Sequence, residues 1–158
     1  MVPTILTEMT RDDGWRVRLV VGGAGGTRIT TSVAVIIIKN ILLNRDISQS
    51  VDDPRLHHQL LPMRIDYQEE FDSVIMQALE RMGHNITSSR SAGSVVGAIA
   101  RLENGDLKAK ADNRKSGGVA GLGEVVEDSS SIMILVNNIL IVMVLVSVLL
   151  ISNLNLGH

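Results

Sequence analysis

Residues 22–27 read Gly-Gly-Ala-Gly-Gly-Thr, four glycines in five positions between a β-type run ending at Val21 and an apolar run beginning at Thr30. Glycine is costly to order and lets backbone approach another group closely, so the cluster points to chemistry done by main-chain amides. A dinucleotide fingerprint needs G-x-G-x-x-G, but counting from Gly23 puts Arg28 where the third glycine belongs. A P-loop needs G-x-x-x-x-G-K-[ST], and no such lysine accompanies these glycines. An oxyanion hole remains: two adjacent N–H groups aimed at the oxygen of a tetrahedral intermediate, with no side chain in the way. A glycine-rich turn without a ligand is the alternative that the loop alone leaves open.

Other reactive side chains are sparse. His57, His58 and His84 have no H-E-x-x-H pattern and no carboxylate at metal spacing, so they read as structural or exposed histidines, and no metal or cofactor is expected. Asp52 and Asp53 could be paired acid–base carboxylates. Their place before Pro54 reads better as the end of a short helix, because the proline ring discourages helix at the preceding residue. Arg55, within Pro-Arg-Leu-His, is expected in a buried ion pair, and Arg114 and Lys115 are assigned to the fold. Asn85-Ile86-Thr87 forms a glycosylation sequon.

The elements that must position these residues alternate in type. Pro3–Met9 and Arg16–Val21 read as a hairpin turned at Asp13-Gly14. Thr30–Leu43 is apolar almost all round and long enough for a buried helix despite its β-branched residues, with Thr27, Thr30 or Thr31 as cap. Over Glu70–Met82, Phe71, Val74, Ile75, Ala78, Leu79 and Met82 recur on one helical face, and Gly83 stops the helix. Asn85–Arg90 follows as a short run. Ser94–Leu102 and Leu107–Ala111 then flank Asn104-Gly105, a strong hairpin signal.

The 158 residues are 45% hydrophobic but only 2% aromatic, so the core must be built from Ile, Val, Leu, Ala and Met, which suits an α/β layered interior. The net charge of -2, with scattered Lys and Arg, argues against a nucleic-acid partner. The absence of cysteine removes disulfides, thiolate zinc sites and cysteine nucleophiles together. The N-terminus lacks a basic region followed by an apolar one, the mark of a secretory signal. Residues 132–151 carry no charge over twenty positions, about the ~20 needed to cross a bilayer, and make a transmembrane candidate weakened by Asn137 and Asn138. The expected division is therefore 1–123 as one domain, 124–131 as an acidic and serine-rich linker, 132–151 as the span and 152–158 as a short tail.

Three ordered stretches resemble one family. "VRLVVGGAGGTRITTSVA", "DDPRLHHQLLP" (Asp52–Pro62, with His58 where Asn is usual) and "ADNRKSGGVAG" (Ala111–Gly121, with Ser116 as an extra residue) are similar to the small subunit of γ-glutamyltransferase, or glutathione hydrolase. "MVPTIL" is similar to the strand that follows a Ser-Ser pair there. The resemblance covers residue 1 to about residue 122. It implies the last part of an N-terminal-nucleophile hydrolase αββα sandwich, acting on glutathione and other γ-glutamyl compounds at the outer face of the plasma membrane. Of the family's site only the Gly-Gly pair carries over, onto Gly25 and Gly26, as oxyanion donors that also touch the bound glutamyl group. The threonine nucleophile and the groups that hold the substrate's amino and carboxylate ends lie upstream in that family, so the missing N-terminal part or large subunit is the expected partner. The chain alone is therefore expected to be inactive. A membrane-tethered homologue that binds or regulates without catalysis is the alternative.

Overall fold

The computed structural model describes residues 2–121 in full and the backbone of 124–128 and 131–135. A six-stranded sheet dominates it, with strands β1 (Thr4–Met9), β2 (Trp15–Ala24), β6 (Val95–Arg101), β7 (Leu107–Ala111), β9 (Ser131–Leu135) and β8 (Glu124–Asp128) side by side in that order. All neighbours are antiparallel. The expected hairpins form: Asp13 and Gly105 take positive φ at the β1–β2 and β6–β7 turns.

One face of this sheet carries two helices, α1 (Arg28–Ile37) and α2 (Ile47–Asp52). Period-two alternation turns Leu19 and Val21 of β2 and Val96, Ala98 and Ala100 of β6 toward them. These residues close the core with Ile29, Val33 and Ile36 of α1 and Ile47 and Val51 of α2. Register puts Lys108 and Lys110 on the same face, opposite Ala100 and Ala98. There Lys108 pairs with Asp46 at 3.1 Å and Lys110 with Asp52 at 2.8 Å, so ammonium groups fasten both ends of α2 to the sheet. Asp46 also caps α2, its carboxylate accepting from Ser48 N at 2.8 Å. Asp46→Ala should cost about 1 kcal/mol from the lost cap alone, read as a lower urea midpoint at unchanged slope.

Several boundaries differ from expectation. β2 runs on through Gly22, Gly23 and Ala24 because all three pair with β6, leaving only Gly25, Gly26 and Thr27 in the loop. α1 begins at Arg28, before Thr30, and ends at Ile37, followed by a π-helical turn over Ile38–Leu42. None of the three threonines caps it: Thr27 stands at the cap position with helical φ and ψ, whereas a capping side chain needs extended backbone. Gly25 O and Gly26 O instead accept from Arg28 N and Ile29 N, so the glycine turn winds directly into the helix. The expected linker 124–131 contains β8, and the first residues of the apolar run, 132–135, lie in β9, so no helix begins at Ile132. Residues 136–151 of that run lie outside the described residues. Among the described residues no helix is long and apolar enough to cross a membrane.

A second sheet, unforeseen apart from its last strand, joins β3 (Leu56–His57), β4 (Ile65–Gln68) and β5 (Ile86–Ser89), with β4 and β5 parallel. Between those two runs α3 (Ser73–Arg81), capped by the Asp72 carboxylate. Its apolar face is largely uncovered: Val74 is 70% and Met82 76% exposed, and Met76, off the expected stripe, is the buried residue of the helix.

Candidate functional site

At the end of β2 the chain leaves the ladder after the Ala24–Val95 pair and turns through Gly25 (φ 136°) and Gly26 (φ 61°). Both are exposed, and neither N–H has an acceptor among the described residues. At Gly25 the need for glycine is steric as well as conformational: a Cβ would be driven into the Gly93 carbonyl oxygen and lie 2.5 Å from Ser94 Cα. At Gly26 a Cβ would meet nothing within 4 Å. Two consecutive unpaired N–H groups just before a helix, whose dipole adds positive potential, make a site suited to negative charge on an oxygen.

Beneath the turn, Ser94 Oγ lies 2.7 Å from Ser32 Oγ of α1, and Ser94 O accepts from Arg55 at 3.2 Å. Arg55 is the buried half of the ion pair expected of it. Its guanidinium meets Asp112 at 2.7 Å, with both side chains no more than 3% exposed, and donates to Val51 O at 2.6 Å. The Asp112 carboxylate also accepts from Val96 N and from Arg114 N. Burial alone would raise the Asp112 carboxyl, but the Arg55 guanidinium and these N–H donors hold it below the ordinary carboxylate range. Arg114 completes the cluster, donating to Val51 O, Asp52 O, Asp53 O and Gln68 Oε1, while Lys115 is exposed.

The remaining candidates fall into structural roles. Asp52 ends α2 and pairs with Lys110, whereas Asp53, just beyond the helix, binds Lys39 and Arg45. His57 is buried, Nδ1 2.8 Å from Thr31 Oγ1 and Nε2 2.9 Å from Gln59 Oε1. The His58 and His84 rings meet edge to face, 6.4 Å between centroids. Among the described residues no group of three or more His, Asp or Glu could hold a metal. Asp112 went unrecognised as the partner of Arg55 because 57 positions separate them. A signal existed in the Asp-x-Arg of residues 112–114. A cavity of about 440 Å³ lies on the sheet's other face, bounded by Val20, Gly22, Gly97, Ile99 and the returning segment 115–120. Its wall reaches Ala24 but not Gly25 or Gly26.

A family model described as gamma-glutamyltranspeptidase matches residues 1–122. The chain belongs to the gamma-glutamyltranspeptidase family. It is 40% identical over 110 residues to scoloptoxin SSD20 of Scolopendra dehaani, covering 70% of this chain and 56% of that one. It is 36% identical over 116 residues to glutathione hydrolase proenzyme 1 of Schizosaccharomyces pombe, covering 72% of this chain and 18% of the relative. Among solved structures, a variant of Helicobacter pylori gamma-glutamyltranspeptidase superposes with a TM-score of 0.60 at 29% identity, covering 72% of this chain and 61% of the other. The Bacillus anthracis transpeptidase CapD, at 20% identity and a TM-score of 0.59 over 77% of this chain and 70% of the other, shares the fold. The mixed α/β architecture is thus that of the gamma-glutamyltranspeptidases, and the chain spans 56% or less of the curated relatives named here.

Proposed function

We propose that residues 1–122 are the C-terminal part of the small subunit of a γ-glutamyltransferase, which cleaves the γ-glutamyl bond of glutathione and passes the glutamyl group to water, amino acids or peptides. The observation that carries this reading is the pair of unpaired Gly25 and Gly26 N–H groups at the head of α1. In this reading the helices α1 and α2 and the six-stranded sheet form one α and one β layer of an αββα sandwich. A threonine hydroxyl from another segment attacks the γ-glutamyl carbonyl carbon. The carbonyl oxygen takes on negative charge and both glycine amides donate to it. Collapse breaks the C–N bond and expels the amine, which leaves with the proton that the threonine hydroxyl gave up to its own α-amino group, and the same donors serve when the acceptor attacks the resulting ester. The exposed Asn85 and Thr87 of the sequon support a setting at the outer face of the plasma membrane. The 158-residue chain by itself turns nothing over, because the donors have no nucleophile to serve.

The test is a hybrid in which residues 1–122 replace the matching part of the fission-yeast glutathione hydrolase proenzyme 1. The hybrid should hydrolyse a γ-glutamyl anilide while the isolated chain does not. Turnover by the isolated chain, or a folded hybrid with no turnover, defeats the reading. The latter result favours a second reading, a homologue that binds without catalysis.

A further inference from the structure

Two glycines with positive φ make a soft turn, so something must hold their amides in place. Gly25 rests against Gly93 and Ser94, and Gly93 is itself an exposed glycine with φ 67°. Ser94 is secured by Ser32 and Arg55. The stretch just before it is met by one long side chain, that of Arg28. Its guanidinium binds Asp66 of β4 at 2.8 Å and donates to Ala92 O at 3.4 Å. Its stem lies so flat on Gly93 that a Cβ there would come within 2.5 Å of Arg28 Cδ. The same residue's backbone N–H donates to Gly25 O at 3.3 Å and closes the turn. Arg28 therefore grips the turn from above through its main chain and the floor from below through its side chain.

We propose that Arg28, braced by Asp66, is the positioning residue that holds the Gly25–Gly26 turn in register with segment 91–94, and so fixes the direction of the two amides. This rests on the oxyanion reading for its purpose, but not for its geometry. The guanidinium suits the task because its planar fork reaches a carboxylate and a carbonyl at once, whereas an ammonium on a flexible stem satisfies one well. Asp66 is in turn steadied by Arg64 Nε at 2.8 Å, so the brace is anchored in the small sheet.

Amide hydrogen exchange on the 158-residue chain tests the geometry. In Arg28→Met, the amides of residues 28 and 29, which close the turn onto Gly25 O and Gly26 O, and those of 91–94 should exchange about tenfold faster while those of 96–101 and 107–111 keep their rates. Arg28→Lys should fall between, and Asp66→Asn should show the same local pattern more weakly. Unchanged exchange at residues 28 and 29 in Arg28→Met overturns the proposal. So does acceleration spread evenly over the chain in both Arg28→Met and Asp66→Asn, since the contact would then hold the whole domain. In the active hybrid, Arg28→Met should lower kcat by about a hundredfold with KM within about twofold. A rise in KM at unchanged kcat overturns it. A hybrid without turnover counts against the oxyanion reading alone, and the exchange rates still decide the role of Arg28.

Discussion

Asp112→Ala should destabilise the chain by about 3–5 kcal/mol, enough to unfold much of it at 25 °C, because it leaves the Arg55 guanidinium buried without its counter-charge. The carboxylate gathers Arg55 from the segment after α2, Val96 N from β6 and Arg114 from the C-terminal stretch, so its loss orphans donors on three segments at once. Arg55→Met/Asp112→Leu, which removes both charges, should cost clearly less than Asp112→Ala, since it avoids an unpaired buried ion. Urea unfolding followed by circular dichroism reads both variants, and equal costs for the single and double replacements would refute the account. The same pair sets a pH dependence. The folded Asp112 carboxyl titrates below its unfolded value of about 3.9, so its contribution is complete above that pH and is lost as pH falls toward the folded value. The urea midpoint should therefore drop below about pH 4 more steeply in the wild type than in the double replacement.

Gly25→Ala and Gly26→Ala should separate sharply although the residues are neighbours. At Gly25 the new methyl must displace the Gly93 carbonyl and the Ser94 main chain, and φ is far from any region open to alanine. Backbone cannot yield as a flexible side chain can, so the turn must rearrange. We expect a cost of about 3 kcal/mol or more in stability and a loss of about 10²–10³ in kcat of the hybrid enzyme, the scale of removing one oxyanion donor. At Gly26 the φ of 61° lies in the left-handed region that alanine enters for about 1–2 kcal/mol, and the methyl meets open space. Gly26→Ala should keep its amide aimed as before and cost less than tenfold in kcat. A reversed order of the two variants in the hydrolysis assay would mean that the turn does not position the amides as described.

What could be read from the residues alone is local or quoted in order along the chain. The hairpin turns at Asp13-Gly14 and Asn104-Gly105 were legible because few residue types tolerate positive φ, and the family was legible because three motifs fall in sequence. The pairing of Gly22–Ala24 with β6 was not, since glycines look like loop until a partner strand takes up their hydrogen bonds. Nor was the sheet of β3, β4 and β5, whose strands are two to four residues long and owe their existence to one another. The α3 stripe marks a face that calls for cover, yet the described residues leave Val74, Ile75 and Met82 open, because periodicity records the need for a partner and not its presence. Arg55 could be assigned a buried ion pair by its type and setting, but its partner 57 positions away, and the bracing of Gly93 by an arginine 65 positions earlier, follow only from how the sheet brings distant segments together. Chemistry of single residues is local, whereas the choice of partner across a sheet is fixed by register and packing, which no short stretch of sequence contains.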